Sequence, residues 1–287
     1  MSDIGTMRHQ GRFLETLWRI TIGVAIAFFL VNVAGVIAAV AVNSFATRWL
    51  GTWLPAGFTT RWYGAAWDEF QLGDVLIVTM EVVLAVVAIS ILLGVPAGYA
   101  LARRDFLGKK LVMLLFLLPL LVPPITYGIP MATVLYQFRL GGTMTGVILA
   151  NLVPTVPFVI LVMTPFIEQI DPRLEAAARV FGAGTFGVFR HVLVPLLVPG
   201  ILAAALLVLV RTIAMFELTF LTAGPDSQTL VVALYYSVFA AGVRAGQSVD
   251  AMAVTYMVTT LVWLVIALRF VDPTQLVTRV KEQPRQT

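Results

Sequence analysis

Cysteine is absent from the 287 residues, histidine occurs twice, and only 12% of the chain is charged. Each shortage excludes a kind of chemistry. Without cysteine there is no disulfide framework, no Cys-based zinc site and no thiol nucleophile. No His/carboxylate cluster accompanies His9 or His191, so a catalytic metal site has little to be built from. The one Gly-Lys pair, Gly108-Lys109, lacks the upstream glycine and the following Ser/Thr of a phosphate-binding loop. ATP is therefore not bound by that route, and any work the chain performs draws on a partner or an ion gradient. No cofactor is implied. The charged fraction is also about half that of a soluble domain of this size.

Apolar residues, by contrast, make up 60% of the chain, and mean hydropathy is +0.94. They fall in runs of the ~20 residues that a helix needs to cross a bilayer. The chain reads as an all-α integral membrane protein with six spans: Ile20–Val42, Val75–Leu101, Leu111–Tyr136, Thr145–Ile167, Val198–Leu221 and Ala251–Phe270. A seventh apolar stretch, Thr229–Gly242, is too short to cross and reads as re-entrant or interfacial. The first span has the basic flank of a signal peptide. Its 23-residue apolar core nevertheless exceeds the ~7–15 residues of such a segment, so it is read as a retained helix.

An even span count puts both termini on one side. Fourteen of the 19 Lys/Arg residues fall on that side, against Arg48, Arg61, Arg139 and Arg244 on the other and Arg211 inside a span. The bias places both termini in the cytoplasm, and the net charge of +4 reflects it rather than nucleic-acid binding. The expected organisation is a cytoplasmic tail 1–19, then the first span with an outer segment 20–74. A core 75–270 follows, containing a long inner loop 168–197, and then a cytoplasmic tail 271–287. Trp49, Trp53, Trp62, Tyr63 and Trp67 suit an amphipathic stretch at the outer headgroup level.

The inner loop carries most of the information. Asp171 is placed to cap a helix that starts at Pro172, with Glu175 in its first turn. Gly182-Ala183-Gly184 signals a stop and a bend. Thr185 is placed to cap a second short helix running to Pro195. Val180, Phe181, Phe186 and Phe189 are apolar where water is expected, as on a knob for a soluble partner. A loop folded back on its own bundle is the other reading.

The run Glu175-Ala176-Ala177-Ala178-Arg179-Val180-Phe181-Gly182-Ala183, then Val192-Leu193-Val194-Pro195, resembles the EAA loop of membrane permease subunits of binding-protein-dependent ABC importers. One departure stands out: counted back from Gly182, the family's glutamate falls on Ala176, while the acid here is Glu175. The resemblance implies a type I importer permease fold with no enzymatic activity of its own. It also implies three partners: a cytoplasmic ATPase dimer, a second homologous permease, and a periplasmic or lipid-anchored binding protein. It assigns ATPase coupling to Glu175, Ala176, Ala177, Val180, Phe181, Gly182 and Pro195. The prolines of spans three and four (Pro119, Pro123, Pro124, Pro130; Pro154, Pro157, Pro165) are candidate bends or static kinks.

Glu81, Arg211 and Glu217 are ionisable residues inside spans, and such residues usually line a cavity or pair with one another. Arg211 and Glu217, both in span five, are six residues or about 600° of helix apart, so they point to different faces and are not expected to pair directly. Tyr127 and Asn151 add polar candidates for a solute pathway. Two acids near the outer mouth suit a cation. The outer run Trp49–Tyr63 and Leu221-Thr222-Ala223-Gly224-Pro225 resemble the second permease subunit of spermidine/putrescine-type systems. A polyamine is therefore the first expectation, with sugar or polyol, ferric iron or opine behind it. A secondary transporter would show internal repeats and coupling acids, and no clear repeat is visible. A membrane enzyme would need convergent acids or histidines, which are not found.

Overall fold

The structure, a computed structural model, describes residues 3–239 and 245–269. Arg244, the expected end of the last span at Phe270 and the tail 271–287 lie outside the described residues. Twelve α-helices occur among those described: α1 (Asp3–Ser44), α2 (Arg61–Glu69), α3 (Leu72–Arg103), α4 (Lys109–Leu121), α5 (Pro124–Gln137), α6 (Met144–Glu168), α7 (Pro172–Val180), α8 (Thr185–Val188), α9 (Val194–Ile213), α10 (Glu217–Thr222), α11 (Leu230–Phe239) and α12 (Gly246–Leu268). Among the described residues, five helical stretches are long and apolar enough to cross a membrane: Leu17–Ser44, α3, α6, Thr185–Ile213 and α12. The bent pair α4 and α5 makes a sixth crossing if counted as one. The expected short apolar helix after Thr229 is α11.

The chain divides into two compact units, Met1–Ala66 with Val243–Val254, and Trp67–Gly242 with Thr255–Thr287. In the first, the apolar window of α1 is wholly unburied. The outer stretch forms a small bridged hairpin followed by α2, which carries Trp62, Tyr63 and Trp67. Ala46 pairs with Phe58, and Thr47 N–H donates to Gly57 O at 2.9 Å. Trp62 Nε1 donates to Ala46 O at 2.7 Å, which pins α2 to the hairpin base. Trp53, at the tip, is 98% exposed. Asn43 Nδ2 donates to Asp250 Oδ2 at 2.5 Å within this unit.

The second unit is organised on α3 and α6. Gly94 and Gly98 lie four residues apart on α3 and let the two backbones approach. A Cβ at Gly94 would meet Val159 Cγ1 at 2.6 Å, and one at Gly98 would meet Ile160 O and the Met163 side chain at 3.4 Å. Val82, Val86, Val95, Val147, Val159, Met163, Leu197 and Val208 form the buried core where α9 packs on this pair. Ser90 Oγ donates to Thr155 Oγ1 across the seam at 2.8 Å. At the other end of α3, Thr79 Oγ1 accepts the Leu230 N–H at 2.8 Å, tying α11 to it.

Three expected elements differ. Span three is not one helix: α4 and α5 are inclined at 98°. Pro123 and Pro124 supply no N–H donors, and Val122, ahead of them, is extended at φ −81°, ψ 134°. By contrast, α6 runs unbroken through Pro154, Pro157 and Pro165. Span five ends at Ile213, where Met215 N–H turns back to Thr212 O at 3.2 Å, and Glu217 opens the separate helix α10. Arg211 and Glu217 therefore lie on different helices, and helix pitch does not set the angle between them. The second loop helix does not stop at Pro195 either. It starts with Gly184, not Thr185, in the cap position and passes through a π-turn, Phe189–Leu193, into α9. The wider turn shifts the carbonyl that the proline ring would otherwise crowd.

Candidate functional site

The loop between α6 and α9 is held by local chemistry at both ends of α7. Asp171 Oδ1 accepts the Arg173 N–H at 2.9 Å, and Pro172 takes the first helical position. At the far end Ala183 N–H reaches Ala178 O (3.1 Å) and Gly182 N–H reaches Arg179 O (3.0 Å). Gly182 adopts φ +87°. This is a Schellman stop, whose left-handed residue favours glycine.

The coupling residues named above do not share one face. Val180 and Phe181 are 85% and 91% exposed, Phe186 is exposed with them, and Ala176, Ala177 and Pro195 also face outward. Glu175 is turned the other way and is 5% exposed. Its Oε1 accepts Arg103 Nε at 2.7 Å and its Oε2 accepts the Tyr99 hydroxyl at 2.8 Å. Phe189 also turns inward, packing edge-on against Tyr99 with ring centroids 5.8 Å apart. The register departure at Glu175 thus has a structural counterpart: one residue along a helix is a turn of 100°, so the exposed family position is occupied by Ala176. Sequence reasoning counted Arg103 only as an inner-side charge and passed over Tyr99. No local signal marks either residue, because their partner lies more than seventy residues away.

Three of the five pathway candidates lie around α10: Tyr127 packs against the cluster formed by Ala150, Met215 and Leu218, Asn151 bonds to Thr219, and Glu217 is the first residue of the helix. The Arg211 guanidinium stands 5.6 Å from the Phe158 ring centroid, and its Nε is buried without a hydrogen-bond partner. Asn151 is fully buried rather than lining an open path. Its Nδ2 donates to Val147 O (2.9 Å) and Thr219 Oγ1 (3.2 Å), while its Oδ1 is unpartnered. Through Thr155, which donates to Asn151 O at 2.8 Å, this network continues to Ser90. Glu217 is half-buried at the start of α10, where a carboxylate suits the helix dipole. The fifth candidate, Glu81, is exposed on α3. Among the described residues, no group of three His, Asp or Glu is placed to hold a metal.

Residues 90–277, a stretch that includes the loop and every pathway candidate but Glu81, match the family described as binding-protein-dependent transport system inner membrane component. The chain belongs to this family. It is a multi-pass permease of the inner membrane, not an enzyme. The permease is 30% identical over 185 residues to the molybdate/tungstate transport system permease of Thermococcus kodakarensis, covering 63% of this chain and 74% of that one. It is 31% identical over 192 residues to the sulfoquinovosyl glycerol transport system permease of Agrobacterium fabrum, covering 66% and 67%. Across these and other curated relatives the permease spans from 51% to 78% of their length. A bacterial transporter for the acidic polysaccharide alginate shares the fold at a TM-score of 0.71 and 17% identity, over 94% of this chain and 98% of that one. None of these three is named for a polyamine, so the expected spermidine/putrescine subtype gains no support from them.

Proposed function

We propose that the permease forms one half of a solute pathway beside a second permease chain and docks on a cytoplasmic ATPase dimer through its loop 168–197. A periplasmic or lipid-anchored binding protein supplies the solute. The family description itself names the binding protein. Docking rests on Val180 and Phe181: two large apolar side chains exposed at the sharply stopped end of a short helix mark a contact surface.

The solute we propose is an anion, either an oxyanion or an acidic sugar derivative. The observation that carries this is Arg211, a guanidinium inside a span with a buried, unpartnered Nε, its head 5.6 Å from the Phe158 ring centroid. Such a donor costs free energy until an acceptor arrives. Two curated relatives are named for cargoes of this chemistry, molybdate or tungstate and sulfoquinovosyl glycerol, while two others are named for the neutral sugars trehalose and diacetylchitobiose. The polyamine reading needs carboxylates to converge, yet Glu81 is exposed on α3 and Glu217 already serves an N-terminal turn.

The test is uptake of molybdate, sulfoquinovosyl glycerol and putrescine by cells producing the whole importer. One of the two anions is expected to enter. Arg211→Gln is expected to cut that uptake about tenfold or more, the equivalent of one charge-assisted hydrogen bond. Putrescine uptake that survives Arg211→Gln and falls with Glu217→Gln would reverse the assignment of charge.

A further inference from the structure

The inward turn of Glu175 leaves α7 joined to the bundle by more than its own chain. Arg103, the last residue of α3, bridges two points around the start of α7: Nε to Glu175 Oε1 at 2.7 Å, and an Nη to Ile170 O at 2.7 Å. Tyr99, one turn earlier on α3, holds the other carboxylate oxygen. The Arg103 and Glu175 side chains are 14% and 6% exposed, so water does not screen the pair as it would at a surface. Arg179 approaches the same carboxylate at 3.9 Å, from the side that leads to Val180 and Phe181. One carboxylate on α7 is thus held by two donors on one other helix.

From these contacts we infer that Glu175, Arg103 and Tyr99 form the joint through which displacement of α7 reaches α3. Glu175 is a positioning residue that faces its own bundle and does not touch the ATPase. The inference rests on the docking reading above and adds where the motion goes. α3 suits the role mechanically. Its 32 residues run as one helix about 48 Å long. Its clamped end lies beside α7, and its opposite end is tied to α11 through Thr79 and Leu230. The Gly94 and Gly98 seam carries α6 with it, and α6 bears Asn151 and Phe158 of the candidate pathway. A shift of α7 that keeps these hydrogen bonds must displace the lower end of α3. One that breaks them strands a buried carboxylate, which is strongly unfavourable. The joint therefore favours concerted movement over local slack.

The test uses the complete importer, with a single bimane label at Arg173→Cys on α7 or at Asp74→Cys near the outer end of α3. The sequence contains no other cysteine. With ATP and vanadate as the probe, the parent complex is expected to give an emission change at both positions. In Glu175→Gln the ATPase is expected to co-purify and the α7 label to respond. The response at Asp74 should fall by roughly fivefold or more, the lower range of a coupling free energy. The charge swap Arg103→Glu with Glu175→Arg restores the pair and is expected to recover the Asp74 response, which a merely destabilised bundle would not do. An undiminished Asp74 response in Glu175→Gln overturns the joint. Loss of ATPase co-purification in that variant also overturns it, because Glu175 would then belong to the docking face. A parent complex whose α7 label is silent instead defeats the docking reading.

Discussion

Gly182 sits at φ +87°, and a Cβ added there would meet nothing within 4 Å. The only cost of a side chain is therefore conformational. Valine at that dihedral is strained by about 1–2 kcal/mol, whereas asparagine tolerates the left-handed region. Gly182→Val is expected to abolish uptake and weaken ATPase co-purification at normal membrane levels of the permease, with Gly182→Asn close to the parent in both. Wild-type uptake by Gly182→Val would remove the loop from the transport mechanism. Gly94 is the opposite case, limited by space and not by dihedral: Val159 stands 2.6 Å from its missing Cβ. Gly94→Ala is expected to lower stability in detergent by roughly 1–3 kcal/mol through overpacking. Gly23→Ala, with open space around it, should be neutral or slightly stabilising. A thermal unfolding comparison of the two variants checks this. Asp171, Pro172 and Gly182 were legible in the sequence because cap, first-turn and stop chemistry is local. The burial of Glu175 was not, because its direction depends on Arg103 and Tyr99, which only the packing of α7 against α3 brings near.

At the scale of elements, length and hydropathy located every long apolar helix among the described residues. They could not show where a helix bends, since composition does not distinguish the proline that breaks a helix from the one absorbed within it. Pro154, Pro157 and Pro165 lie inside a continuous α6, while the adjacent pair Pro123-Pro124 separates α4 from α5. Two consecutive missing donors, with an extended residue forced ahead of them, exceed what a single kink absorbs. The bend has a measurable consequence. Helices of 13 and 14 residues inclined at 98° put Lys109 and Gln137 about 27 Å apart, against about 42 Å for one straight helix. Spin labels at Lys109→Cys and Gln137→Cys are expected to report the shorter distance. Adding Pro123→Ala and Pro124→Ala should lengthen it and cost transport. A long distance in the parent would mean that span three crosses straight.

At the scale of the whole molecule, much of the chain's apolar surface is left over. None of the apolar window of α1 is buried, and only 11% of that of α12. Lipid covers apolar surface of this kind in a family of inner membrane components, and the second permease chain proposed above would cover the rest. Topology and docking make a joint prediction about which arginines a protease reaches. Arg48, Arg61 and Arg139 are exposed and fall on the outer side by the Lys/Arg bias; Arg104, Lys110, Arg173, Arg179 and Arg190 are exposed and fall on the inner side. Of these two sets, trypsin added to right-side-out vesicles is expected to cut the first and not the second, and trypsin added to inside-out vesicles the second and not the first. When the ATPase is co-produced, protection should cover Arg173–Arg190 and spare Arg104 and Lys110, because the exposed Val180 and Phe181 sit in the former stretch. Adding Phe181→Ala should strip that protection by removing the larger apolar anchor, while leaving the sidedness of every cut unchanged. Cleavage of Arg173–Arg190 from the outside would invert the topology. Cleavage from the inside that is unaffected by the ATPase would leave the topology standing and remove α7 from the contact.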